Sequence, residues 1–196
     1  MIHNRDNAVS PVIGLLLMIV VTIIIAAIVS AFAGGLASDQ ATTPQTSLEV
    51  KEVIEKILPY SAGGRDISNG LLFTHNGGDP FSISSIYIQL QSGSTSVTLN
   101  STESLDSPNV LPSDVTAYIM PLKIDGSVST DIDTLMQPGD KFMLFADDCV
   151  DWSAYNMGKG IAWKSFSAML NTKCEYKIID KDSNNVIQQG SFVFSQ

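Results

Sequence analysis

No charged residue lies between Asp6 and Asp39. One apolar run, SPVIGLLLMIVVTIIIAAIVSAFAGGLA, fills that gap, and at least about 18 such residues read as membrane-spanning. At about 1.5 Å per residue, Val12 to Leu36 would make a rod of roughly 37 Å. The run is far longer than the apolar region of a secretory signal peptide, about 7 to 15 residues, which argues against ordinary removal behind it. Basic residues are scarce too. Only Arg5 and Asp6 precede Asp39, so ten basic and nineteen acidic residues lie beyond, carrying nearly all of the formal charge of -9. Such a domain repels phosphate backbones, so no nucleic-acid partner is expected. Histidine is limited to His3 and His75, and no Gly-x-Ser-x-Gly elbow occurs, so a Ser/His/Asp triad would need His75 and catalysis has no constellation to rest on.

What remains after the run is 158 residues, Asp39 to Gln196, enough for one domain with a core. Arg5 and His3 in the leader leave the N-terminus cytoplasmic and that domain outside. Gly34-Gly35 stop the helix, and the polar stretch around Pro44 reads as a linker over 38–47. The pattern over 48–58 fits a helical face or a strand start equally, and both stay open. From Gly70 the hydrophobic period becomes two. Leu71, Phe73 and His75 alternate, the turn Asn76-Gly77-Gly78-Asp79-Pro80 follows, and Ile86, Ile88 and Leu90 alternate again, which reads as a hairpin. Further strands are expected at Ser96 to Leu99, Val115 to Met120, Lys141 to Phe145, Cys174 to Ile179, Val186 to Gln188 and Ser191 to Phe194. Val150 to Leu170 reads as an irregular or partly helical excursion. The expected fold is α+β: one long N-terminal hydrophobic helix, then an extracellular all-β, sandwich-like domain.

Candidate sites in the domain are few. Outside the cell Cys149 and Cys174 read as a disulfide closing a loop of about 25 residues, worth roughly 3 kcal/mol; two buried thiols are the alternative. Asn100-Ser101-Thr102 is an N-glycosylation acceptor pattern. His75 and Asp79 could be drawn as a metal or acid/base pair, but a tight reversal with Asp79 bonding backbone amides is the stronger reading. Asp147, Asp148 and Asp151 lack the spacing and glycine of an EF-hand loop. No metal or cofactor is expected.

A rod apolar on all sides must be surrounded by lipid or by copies of itself. Moving from bilayer to filament trades lipid contacts for rod packing. Val12, Leu16, Ile19 and Ile23 would line such a core, and Ala26, Ala27 and Ser30 would permit close approach.

Residues Ala8 to Ala27, AVSPVIGLLLMIVVTIIIAA, resemble the N-terminus of archaeal type IV pilins, adhesion-pilus relatives of archaeal flagellins. Thr74 to Pro80, with His75, Gly77, Gly78, Asp79 and Pro80 as a structural turn, is similar to that family's His-x-Gly-Gly-Asp-Pro turn, and Pro138-Gly139-Asp140 resembles its next Gly-Asp turn. The resemblance implies a class III signal peptide over 1–8, cut between Ala8 and Val9 by a prepilin peptidase, with a mature helix over 9–37 and a domain over 48–196. Asn7 departs from the residues usual before that bond. It also implies sister pilins, an assembly ATPase and a membrane platform as partners, and a single-pass membrane protein that becomes a surface filament for adhesion. The competing expectation is a monomeric membrane-anchored domain that binds a ligand or serves as an accessory component.

Overall fold

A computed structural model describes residues 9–35, 42–59, 68–105, 111–151 and 158–195. The chain divides into two compact units between Ala41 and Thr42. In the first, α1 (Val9–Gly35) contains no acidic residue in its first turn and no basic one in its last, so nothing complements its dipole. Pro11 lies in the first turn, where amides lack intrahelical partners, and the helix closes on Gly34-Gly35. The Thr22 hydroxyl donates to the Ile19 carbonyl (2.8 Å), which satisfies it without a partner outside the helix.

In the second unit the described residues form β1 (Thr46–Val53), β2 (Leu58–Pro59), β3 (Gly70–Gly78), β4 (Phe81–Ser82), β5 (Ile86–Ser92), β6 (Thr95–Asn100) and β7 (Ile119–Leu122). Then come β8 (Leu135–Met136), β9 (Lys141–Phe145), β10 (Asp148–Asp151), β11 (Lys159–Trp163), β12 (Phe166–Met169), β13 (Cys174–Asp180) and β14 (Val186–Phe192). Two antiparallel four-stranded sheets, β1-β3-β9-β7 and β14-β13-β5-β6, carry most of the core, and β12-β11-β10-β2 forms a third. The period-two pattern sets the faces. On β5, Ile86, Ile88 and Leu90 are fully buried while Tyr87, Gln89 and Gln91 are half-buried. Phe73 stacks on its cross-strand partner Phe142 (4.7 Å) and meets Tyr176 of the other sheet edge-on (5.8 Å). Trp163 packs against Phe166 and Phe194.

One side of this pair of sheets is joined by a side chain. The Gln188 carboxamide accepts from Leu48 N (2.7 Å) and donates to Leu48 O (2.7 Å), linking the β14 edge to the β1 edge. It also donates to the Tyr176 hydroxyl (2.9 Å). That ring lies where a Cβ on Gly190 would sit, at 2.7 Å, so glycine is needed there for the ring to reach Gln188.

Several sequence expectations are corrected. Of the segment 48–58, left open between helix and strand, Leu48–Val53 is strand: β1 begins at Thr46, inside the stretch assigned to the linker, and pairs with β3, while 54–57 belong to neither. β3 and β5 are not hairpin partners; β3 pairs with β1 and β9, and β5 with β6 and β13. Between them β4 and the 3-10 turn Ile83–Ser85, capped by the Ser82 hydroxyl, carry the chain to the other sheet. The strand expected at Val115 starts only at Ile119, because Val115 N bonds to Pro112 O (3.0 Å) in a turn and Ala117 bridges to Ser104. Val186 to Phe192 runs unbroken. Val150 to Leu170 holds parts of β10, β11 and β12 rather than a helical excursion, with 152–157 outside the described residues. The Cys149–Cys174 bond is absent: Cys174 is a buried free thiol. It opens β13, whereas Cys149 lies on β10 in a different sheet.

Candidate functional site

The helix is the first candidate. Every residue from Val12 to Ala33 is exposed, and fifteen large apolar side chains, from Val12 to Phe32, stand between 44% (Val21) and 68% (Met18) accessible. Val12, Leu16, Ile19, Ile23, Ala26, Ala27 and Ser30 all lie on this stretch, and their spacing of three and four residues sets them along one side of the helix, while the other large apolar side chains cover the rest of its circumference. At roughly 1.5 to 3 kcal/mol for each large side chain left in water, the cost reaches tens of kcal/mol, beyond the whole stability of an ordinary domain, about 5 to 15 kcal/mol. Such a surface has to be covered. The 22 residues Val12–Ala33 are long and apolar enough to cross a membrane. The helix begins at Val9, while Ala8, the other side of the expected cleavage bond, lies outside the described residues.

The second candidate is the point where the chain enters the β domain. At the end of β3, Gly78 takes φ +101°, and a Cβ there would lie 2.1 Å from Gln45 O, so only glycine lets the two backbones approach this closely. Asp79 then holds Gln45 twice: its carboxylate accepts from Gln45 N (3.0 Å), and its own N–H donates to Gln45 O (2.8 Å). His75 is almost fully buried and stacks on Phe81 (5.7 Å). Its Nε2 faces Asp79 O (3.1 Å) and Thr46 Oγ1 (2.9 Å). Because a carbonyl can only accept, Nε2 is assigned the proton and the Thr46 hydroxyl donates onward to Gly77 O (3.2 Å). Nδ1 is then an acceptor, and it is buried without a partner among the described residues.

The second glycine turn meets the first through His75. Gly139 N donates to His75 O (2.7 Å) and His75 N to Asp140 O (2.9 Å), while the Asp140 carboxylate closes its own turn on Gln137 N (2.8 Å). A third turn reaches the same entry segment: Thr43 Oγ1 pairs with Ser183 Oγ (2.8 Å) and accepts from Asn185 Nδ2 (3.0 Å). The Asp180 carboxylate orders that turn by accepting from Ser183 N and Oγ (2.8 and 2.6 Å). Sequence reasoning identified the two glycine segments but not Gln45 and Thr46, the partners of the first, because bonding across some thirty residues leaves no local signal.

The remaining candidates stand apart. Asn100 ends β6, and its Oδ1 accepts from Thr102 N (2.9 Å) and Oγ1 (2.7 Å). Asp147 is buried, with its Oδ2 accepting from the Tyr118 hydroxyl (2.6 Å) and Lys164 N (2.7 Å), a structural use of a carboxylate. Lys164 itself pairs with Glu103. Among the described residues no group of three or more His, Cys, Asp or Glu is placed to hold a metal. Burial pushes the Cys174 thiol above its ordinary pKa, and a bond with Ser92 opposes this only in part; a protonated, enclosed sulfur is a poor nucleophile.

A search of curated proteins returns no match. The family model described as the N-terminal domain of archaeal type IV pilins matches residues 7–48, from just ahead of α1 to the third residue of β1. Residues 7–48 therefore carry an archaeal type IV pilin N-terminal segment.

Proposed function

We propose that this protein is a structural subunit of an archaeal type IV pilus-like surface filament, held in the membrane by α1 before assembly and polymerised through α1 afterwards. The observation that carries the reading is a helix apolar and uncovered on every side, joined to the pilin family match over the same residues. Lipid covers such a rod in the membrane, and sister rods cover it in a filament at little net hydrophobic cost. The leader through Ala8 is removed by a prepilin peptidase, leaving Val9 as the mature N-terminus. An assembly ATPase and membrane platform then extract the subunit, and the acidic β domain faces outward for adhesion. Asn100, whose carboxamide oxygen accepts from the Thr102 hydroxyl, is the proposed glycan acceptor on that domain.

The test is electron microscopy and mass spectrometry of filaments sheared from the native host. The expected result is a thread containing this chain with Val9 at its N-terminus. A protein that begins at Met1 and stays monodisperse in detergent, with no thread containing it, would be a plain membrane-anchored domain.

A further inference from the structure

The segment leading into β1 is held more firmly than its surroundings require. Thr43 and Pro44 are half-buried and Gln45 is exposed, so these residues add little apolar burial. Yet Thr43 is bonded by the 182–185 turn, Gln45 by Asp79 and Thr46 by His75, and the 137–140 turn braces His75 from behind. Segments at a domain's end ordinarily fray unless they are tied down. Single hydrogen bonds at exposed and half-buried positions each add only modestly to global stability, so their collective effect is to order one short piece of chain.

We infer that these turns form a clasp that fixes the direction in which the chain leaves the β domain, with Thr46 and Asp79 as positioning residues for display of the domain on a filament. The inference rests on the filament reading above. It has a geometric motive: a domain of this size is roughly 40 Å across, so a swing of about 15° at its point of attachment would displace the far side by roughly 10 Å. An ordered entry segment removes the part of such a swing that would arise within 42–47, which favours regular contacts between neighbouring copies.

The test compares the full-length chain with the double variant Thr46→Val/Asp79→Ala and the conservative pair Thr46→Ser/Asp79→Asn, which keeps a hydroxyl and an accepting oxygen in place. Three quantities are measured: thermal unfolding, amide hydrogen exchange of detergent-solubilised protein over 42–47, and order of the β domain in filament images. The clasp predicts at least about tenfold faster exchange over 42–47 in the double variant, with the 86–100 segment unchanged and Tm within a few degrees. It also predicts filaments whose central helices stay sharp while the domains blur, with both effects reversed in the conservative pair. Unchanged exchange, a global fall in Tm, or faster exchange with equally ordered domains would each overturn it. Exchange in detergent does not need a filament, so a missing filament defeats the functional reading while the effect on the entry segment is still decided.

Discussion

A glutamate at position 16 tests the central physical claim most directly. Leu16 is 56% accessible and lies on a helix with apolar side chains around its whole circumference. The one hydroxyl whose bonding is defined there, that of Thr22, already donates within the helix. On insertion scales a charged residue in place of leucine costs about 3 to 4 kcal/mol at the helix centre, and less at Leu16, which lies near the start of the span Val12–Ala33. Fourteen other large apolar side chains remain, enough to keep the helix in the membrane. Assembly is less forgiving, since each copy would bury an uncompensated charge at a cost of about 3 to 5 kcal/mol, or roughly a 10² to 10⁴-fold loss in the constant for adding a subunit. Leu16→Met, which conserves volume, should cost under about 1.5 kcal/mol. The expected outcome is membrane-fraction protein at near-normal levels for both variants, with filaments from Leu16→Met and none from Leu16→Glu. Fibres of ordinary length and yield from Leu16→Glu would refute the idea that this helix is enclosed by its copies.

Other predictions concern the β domain. Gly190→Ala puts a methyl 2.7 Å from Tyr176 Cε1 and displaces a ring that holds Gln188; overpacking plus a weakened bond should remove about 2 to 4 kcal/mol, read as a Tm loss in full-length protein and partly relieved by adding Tyr176→Leu. Cys174 should resist iodoacetamide at pH 8 until denaturant is added, because burial raises its thiol pKa; rapid labelling of folded protein would contradict its enclosed position. Thr102→Val should abolish any glycan mass at Asn100 while leaving the fold intact, since Thr102 is exposed, and intact-mass measurement decides it.

The helix was legible because charge is missing over a long interval, a signal that needs no tertiary information. Individual strands were legible where an apolar run is bounded by turn signals: Lys141–Phe145, in which Phe142 to Phe145 are all buried, appears with the bounds that its flanking turns imply. Pairing was not. The alternating runs at Leu71 and Ile86 look like neighbours in sequence, yet the Ser82 cap and the 3-10 turn redirect the chain, and β3 finds its partners in β1 and β9. The segment around Trp163 misled for a related reason: Gly158 and Gly160 suggested irregularity, while Ile161, Trp163 and Phe166 are fully buried on β11 and β12. The special backbone at His75 to Pro80 was legible from glycine and aspartate, but not its use: Asn76 to Gly78 continue β3 along β1 instead of reversing, and Asp79 holds the distant Gln45 through main-chain atoms that every residue carries.

The Gln188 carboxamide has a consequence for crowded subunits. By bonding both the N–H and the C=O of Leu48, it stands in for a missing peptide rung between two border strands. Exposed borders are where one β protein zippers onto the next and precipitates. A surface thread concentrates its subunits far above any solution level, so one amide that occupies those groups lowers the chance that close-set domains fuse into aggregates.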